Sequence, residues 1–122
     1  MTAVDLAHDV VTALCSGRFD LSDEKACQAE IDTWLRDRLP DVEIQREHRL
    51  SSRDIPDFFI AGVVVEVKMN TARPASILRQ LERYADHDQV QAIVLVTNRA
   101  VILRPTVRGK QLLVVPLGRT WL

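Results

Sequence analysis

Two carboxylates and a lysine lie close together in the middle of the chain, in a stretch with the pattern of a β-hairpin. Residues 55–69 contain two short runs rich in β-branched and aromatic residues, joined by an Ala-Gly dipeptide at 61–62. A two-residue loop there places Asp57 directly opposite Glu66, with Cβ atoms about 4.5–5.5 Å apart. Because side chains alternate between the faces of a strand, Lys68 is expected on the face of Glu66.

Directly opposed carboxylates repel each other, so something in the protein has to offset the repulsion. A hard divalent cation does this, and carboxylate oxygens without His or Cys ligands suit Mg²⁺ or Mn²⁺. Lys68 beside the pair could stabilise charge that develops on a phosphate or orient an attacking water. The alternative is an ordinary cross-strand ion pair of Lys68 with Asp57 or Glu66 on a solvated sheet face.

The order of these residues resembles the PD-(D/E)xK nuclease superfamily. Pro56-Asp57 is followed, after a spacer of eight residues, by Glu66-Val67-Lys68. Gln80 and Tyr84 on the next predicted helix look like the Q-x-x-x-Y element of the RecB-like and phage-exonuclease branch. An upstream predicted helix that carries an acidic residue, Glu24, completes the order of parts, so the resemblance covers roughly residues 22–97.

The resemblance implies a role for each matching residue. Asp57 and Glu66 would be catalytic metal ligands for Mg²⁺ or Mn²⁺, and Lys68 would be catalytic beside them. Glu24 would be the upstream ligand, with Glu30 as an alternative, and the Val67 carbonyl would add another. The residues expected to contact nucleic acid are Gln80, Tyr84, Arg73, Arg79 and Arg83. For Tyr84, the alternative is a ring packed in the core with its hydroxyl at the rim.

The function that follows from the resemblance is a metal-dependent deoxyribonuclease that hydrolyses phosphodiester bonds. Backbone contacts fix register without reading bases, so cleavage should depend on DNA structure or ends rather than on sequence. The expected setting is recombination, repair or phage DNA processing, with DNA, a second copy of the chain, and a helicase or recombination protein as partners. Two alternatives stay open: a dimeric junction-resolvase-like endonuclease, and a non-catalytic nucleic-acid-binding module on the same fold.

Hydrophobic periodicity predicts the elements that must position these residues. Apolar spacing and cap residues indicate helices at 3–16, at 22–39 with Ser22 as N-cap, and at 74–87. The predicted strands are 42–50, 55–60, 63–69 and 91–97, followed by a final strand or hairpin within 101–104 and 111–117. This order predicts one domain over residues 1–122. Its fold class is α/β, a sandwich with a mixed central sheet flanked by helices, and the resemblance implies the restriction-endonuclease-like form of it.

Composition bounds the class of protein. With 47% hydrophobic residues and a net charge of −1, the chain of 122 residues is neither disordered nor globally basic. No apolar run approaches the roughly 20 residues of a membrane span, and residues 1–16 hold no basic residue of the kind a signal peptide needs. A cytoplasmic protein without membrane contact is expected. The cysteines, Cys15 and Cys27, form no metal or disulfide pattern.

Charge is distributed unevenly along the chain. Residues 1–45 hold four basic and ten acidic side chains, whereas residues 46–122 hold twelve basic and seven acidic ones. The second half is therefore the half expected to face a polyanion, although a solvated basic surface explains it too. The three histidines appear isolated, and Trp34 and Trp121 are expected to be core or docking anchors.

Overall fold

The helices begin where the sequence supplies caps. Thr2 and Asp5 form a capping box in which each side chain accepts a hydrogen bond from the other's backbone N–H. Asp23, not the expected Ser22, caps the second helix, and Pro74 occupies the first turn of the third. The computed structural model describes residues 2–69, 73–99 and 101–118. Its helices are α1 (Ala3–Cys15), α2 (Glu24–Arg38) and α3 (Pro74–Ala85).

Six strands form one mixed sheet in the described part of the chain. They are β1 (Gln45–Arg46), β2 (Phe58–Ile60), β3 (Val63–Lys68), β4 (Ala92–Thr97), β5 (Thr106–Val107) and β6 (Lys110–Pro116). Their order in the sheet is β1-β2-β3-β4-β6-β5. The pairs β3–β4 and β4–β6 are parallel, and the other three pairs are antiparallel. Helix α3 makes the crossover that joins β3 to β4, as a parallel pair requires.

Helices cover both faces of the sheet, which gives the predicted α/β sandwich. Helices α1 and α2 pack on one face against the odd-numbered valines of β3, whereas α3 packs on the other face, where Val64 points. Every residue of β4 is buried, as expected of a strand covered on both sides. Since side chains alternate, Glu66 and Lys68 belong to the α3 face.

The edges of the sheet differ from the prediction. The expected strand over 42–50 pairs only at β1, because Glu47 has a positive φ of 50° and ends the ladder. At the other edge, Arg108 and Gly109 have φ angles of 51° and 77°, which form a tight turn between β5 and β6. That turn places the hairpin at 106–116, so the expected strand at 101–104 is unpaired and its Ile102 is fully exposed.

The described ranges contain no helix long and apolar enough to cross a membrane. Trp121 and the last arginine of the basic half, Arg119, lie outside the described residues.

Core packing of α3 can be tested with two leucines of the same helix. Leu81 is fully buried and Leu78 is 38% exposed. Leu81→Ala is expected to lower the free energy of unfolding by about 2–5 kcal/mol, because it leaves a cavity between α3 and the sheet. Leu78→Ala is expected to cost less than about 1 kcal/mol. Urea unfolding monitored by circular dichroism measures both, and equal losses would contradict the packing described for α3.

Candidate functional site

The hairpin between β2 and β3 has the predicted register. Residues 61 and 62 of its loop have positive φ angles of 45° and 92°, as a tight two-residue hairpin turn requires. Phe58 pairs with Val65, so the next step of the register sets Asp57 opposite Glu66. Asp57 directly precedes β2, and Glu66 lies near the end of β3.

Each of the two carboxylates accepts a hydrogen bond from a backbone N–H of the opposite strand segment. The Asp57 N–H donates to Glu66 Oε1 at 3.0 Å, and the Val67 N–H donates to Asp57 Oδ2 at 2.8 Å. The backbone ladder between β2 and β3 begins only at Phe58, and Pro56 has no N–H to extend it. The two side-chain bonds connect the strands at this position instead. Glu66 is 2% exposed and Asp57 is half-buried, so water hardly reaches the Glu66 carboxylate and reaches the Asp57 carboxylate only in part.

Lys68 lies beside the pair, as predicted from the alternation along β3. Its Nζ is 3.2 Å from Glu66 Oε2, and its side chain is 23% exposed. The Lys68 charge also acts on Asp57, whose pKa it lowers against the effect of burial. One ammonium group therefore faces two carboxylates from a partly open position.

A third carboxylate comes from the start of α2. Glu24 Oε1 accepts the N–H of Met69, the residue after β3, at 3.3 Å, and its charge acts on Asp57. Glu30, the alternative upstream acid, instead accepts the N–H of Asp20 at 2.6 Å. The structure therefore brings Glu24, and not Glu30, to the end of β3.

Burial and mutual repulsion change the titration of the pair. Burial raises the pKa of Asp57 to about 6, although the Val67 N–H and Lys68 work against it. Burial, and after it the Asp57 carboxylate, raises the pKa of Glu66 to about 7. Both carboxyl groups thus hold protons at a pH where exposed carboxylates have lost them.

Helix α3 provides the opposite wall of the site. Tyr84 is 1% exposed, and its hydroxyl accepts from Gln80 Nε2 at 2.8 Å and donates to the Ile55 carbonyl at 3.4 Å. Burial, with Glu66 and Asp57 nearby, raises the pKa of this hydroxyl. Tyr84 is therefore next to the carboxylates, with Gln80 bonded to its hydroxyl, and the tyrosine ring also packs in the core.

The three arginines predicted to contact nucleic acid differ in their surroundings. Arg73 caps α3 without a side-chain cap bond and is exposed, and Arg79, in the second turn of α3, is exposed too. Arg83 instead donates from Nε to Asp54 Oδ1 at 3.0 Å, where His87 also bonds. The Arg83 guanidinium is therefore paired with a carboxylate of the protein itself.

Three polar residues near the site were not singled out from the sequence. His87, expected to be isolated, bonds the buried Asp54, and only its position four residues after Arg83 hints at this. Arg46 lies with its Cζ 4.9 Å above the Phe58 ring, and its charge lowers the pKa of Asp57. Both contacts join residues far apart in the chain.

Three further basic residues of the second half, Arg104, Arg108 and Lys110, lie in or near the β5–β6 hairpin, and β6 is two strands away from β3 in the sheet. Arg108 is 3.8 Å from Glu82 and 3.7 Å from Asp86. Lys110 donates to the His87 carbonyl at 2.8 Å, and Arg104 is exposed. These three cations are thus on a part of the sheet separate from the carboxylates at the end of β3.

The donor set can be compared with what a metal ion needs. No group of three or more His, Cys, Asp or Glu side chains in the described ranges is arranged to hold a metal ion as it stands. The donor chemistry nevertheless fits a hard cation, because Glu24, Asp57 and Glu66 offer oxygens at one end of β3. Each accepts a backbone N–H through one of its two oxygens, and the three carboxylates would have to turn towards a shared point to hold a cation together.

Comparison of the chain with models of protein families, with curated proteins and with solved structures gives no match. Inference about function therefore starts from the buried carboxylates and their neighbours.

The repulsion within the pair makes a prediction about stability. Asp57→Asn and Glu66→Gln are expected to keep the fold and to stabilise the metal-free protein above pH 7 by roughly 1–3 kcal/mol, because each removes one of two repelling charges. With pKa values raised to about 6 and 7, the folded protein binds more protons than the unfolded chain from about pH 4 to 7. Wild-type stability should therefore fall as pH rises through that range, and less steeply in each variant.

Urea unfolding in chelator at several pH values measures these effects. Asp88→Asn, at an exposed carboxylate, is the control and should leave the pH dependence unchanged. A clear loss of stability in both site variants would mean that the lysine and the carboxylates form an ordinary stabilising ion pair.

Proposed function

We propose that this chain is a Mg²⁺- or Mn²⁺-dependent nuclease that hydrolyses phosphodiester bonds in DNA. The observation that carries the proposal is that the half-buried Asp57 faces the buried Glu66, with the Lys68 ammonium 3.2 Å from Glu66. Membership of the PD-(D/E)xK superfamily, with a restriction-endonuclease-like sandwich, is part of the proposal. Its support is the sequence resemblance together with the placement of Glu24 and Tyr84 beside the pair.

The charge balance of the site argues against a purely structural role. Three carboxylates and one lysine meet at the end of β3, and Glu66 is almost fully buried. Removing carboxylates from water costs several kcal/mol each unless opposite charge compensates. A structural ion pair would balance its charges, whereas here three carboxyl groups meet one lysine, with Arg46 acting on Asp57. The pKa values of Asp57 and Glu66 remain raised, so these cations compensate the carboxylates only in part.

Each residue has a part in the proposed reaction. Asp57, Glu66 and Glu24 would hold the cation with the Val67 carbonyl. A bound cation of this kind polarises the scissile phosphate and lowers the pKa of the attacking water. Lys68, partly open to solvent, donates to the phosphate oxygen on which charge develops. Gln80 and Tyr84 shape the wall against which the substrate lies.

Recognition would rest on the DNA backbone. The exposed Arg73 and Arg79 lie on the first turns of α3, the helix that also carries Gln80. Contacts to phosphates position a duplex without reading its bases, so structure or ends would select the cleavage site. A helicase or recombination protein, or a second copy of the chain, would supply further selectivity.

A panel of DNA substrates tests the proposal. Single-stranded, duplex, flapped and four-way DNA are incubated with the protein in Mg²⁺, Mn²⁺, Ca²⁺ or chelator. Cleavage is expected with Mg²⁺ or Mn²⁺ only, and Asp57→Asn and Glu66→Gln should each reduce it by orders of magnitude. Preference for the four-way substrate by a dimer would indicate a resolvase-like enzyme, and binding without any cleavage would indicate a non-catalytic module.

Catalysis and binding are expected to separate in two classes of variant. Lys68→Ala removes a group that acts in the transition state, so cleavage should collapse while DNA affinity changes little. The double variant of Arg73→Ala and Arg79→Ala should weaken binding and reduce the slope of log affinity against log salt by about 1–2, since each neutralised phosphate contributes about 0.9. Arg104→Ala, at the distant sheet edge, is the control for both assays. Equal losses of affinity in Lys68→Ala and the arginine variant would contradict this division of roles.

A further inference from the structure

A second polar cluster lies beside the site, between α3 and the segment that leads into Asp57. Asp54 is 6% exposed, and its two carboxylate oxygens bond Arg83 Nε at 3.0 Å and His87 Nε2 at 2.9 Å. The hydrogen bond from His87, and then that from Arg83, lowers the pKa of Asp54 and keeps it charged. We refer to Asp54, Arg83 and His87 as the α3 clamp.

The α3 clamp fixes the segment 54–57, which lies outside the strand ladder. Residues 54–57 precede β2, whose ladder begins at Phe58, and Pro56 has no N–H to donate. The Ile55 carbonyl accepts from the Tyr84 hydroxyl at 3.4 Å, and the Asp57 carbonyl accepts from the Glu47 N–H at 3.1 Å. Side chains of α3 therefore help to fix the backbone of the segment that leads into Asp57.

The helix end of the clamp is itself anchored. His87 lies just after α3 and donates its N–H to the Tyr84 carbonyl at 3.1 Å. Its own carbonyl accepts from the Val90 N–H at 3.0 Å and from Lys110 Nζ at 2.8 Å. The imidazole is thus carried by a backbone fixed to both α3 and β6.

We propose that the α3 clamp positions Asp57 for cation binding, so that Asp54, Arg83 and His87 set the affinity of the site for a divalent metal without touching it. This inference rests on the proposed function. Partners that orient metal ligands typically affect metal affinity by 10–100-fold. Arg83 is then a positioning residue rather than the DNA contact expected from the sequence.

Mn²⁺ binding to the full chain without DNA, measured by calorimetry and by electron paramagnetic resonance, tests the proposal. Asp54→Asn removes the charge that both partners share and should raise the Mn²⁺ dissociation constant tenfold or more. His87→Ala should also weaken binding, and its partly exposed position makes this variant the safer one to fold. His87→Gln keeps an N–H donor towards Asp54 and should restore much of the affinity.

A variant destabilised elsewhere separates positioning from general loss of stability. Leu14→Ala creates a cavity at a fully buried position of α1, on the opposite face of the sheet, and should leave Mn²⁺ affinity unchanged in the folded protein. Amide hydrogen exchange in chelator gives a readout free of metal. The Glu47 and Val67 N–H groups, both bonded to Asp57, should exchange faster in Asp54→Asn than in Leu14→Ala.

The outcomes distinguish the two levels of inference. Wild-type protein that binds Mn²⁺, with Asp54→Asn and His87→Ala within twofold of it, overturns the clamp and leaves the proposed function standing. Equal weakening by Leu14→Ala overturns the clamp as well, because any loss of stability would then suffice. Wild-type protein that binds no Mn²⁺ overturns the proposed function and the clamp with it.

Discussion

The repulsion between the buried Glu66 carboxylate and the half-buried Asp57 carboxylate is the constraint on which the arrangement around β3 depends. Asp57 and Glu66 can share one end of a sheet because nearby groups partly offset their repulsion. The N–H groups of Asp57 and Val67 donate to the two carboxylates, and the Lys68 ammonium faces Glu66. Even so, their pKa values stay raised to about 6 and 7, so compensation is incomplete. The protein therefore maintains an unfavourable cluster of carboxylates at the end of β3, as functional sites commonly do.

The mixed topology of the sheet explains how the cluster is assembled. The antiparallel pairing of β2 with β3 sets the two carboxylates opposite each other, and the crossover from β3 to β4 brings α3 over the same face. Helix α2, on the other face, contributes Glu24 from its first turn, next to the residue after β3. The polar groups come from α2, the segment before β2, β3 and α3, so their relative positions depend on the packing of both helix layers.

Local rules allowed much of this to be predicted from the sequence. The turn at 61–62 and the period of two along β3 set the register that places Asp57 opposite Glu66, because both depend only on neighbouring residues. The partners of Asp54 could not be predicted in this way, since Arg83 and His87 are 29 and 33 residues further along the chain. The expected strand at 101–104 was wrong because two consecutive positive φ angles at Arg108 and Gly109 place the edge hairpin later.

Protons, backbone N–H groups and a cation would compete for the same carboxylate oxygens. In the metal-free chain, the N–H groups satisfy these oxygens, and burial favours the protonated forms. Metal ligands must be deprotonated, so cation binding to such a pair releases protons and strengthens as pH rises through the range in which the carboxyl groups titrate. Deprotonation of the two carboxyl groups destabilises the fold without a cation, and the same deprotonation is what cation binding requires. Residues 54–57 are held by side chains of α3 and lie before the strand ladder, which begins at Phe58. Asp57 can therefore exchange an N–H for a cation without disturbing that ladder.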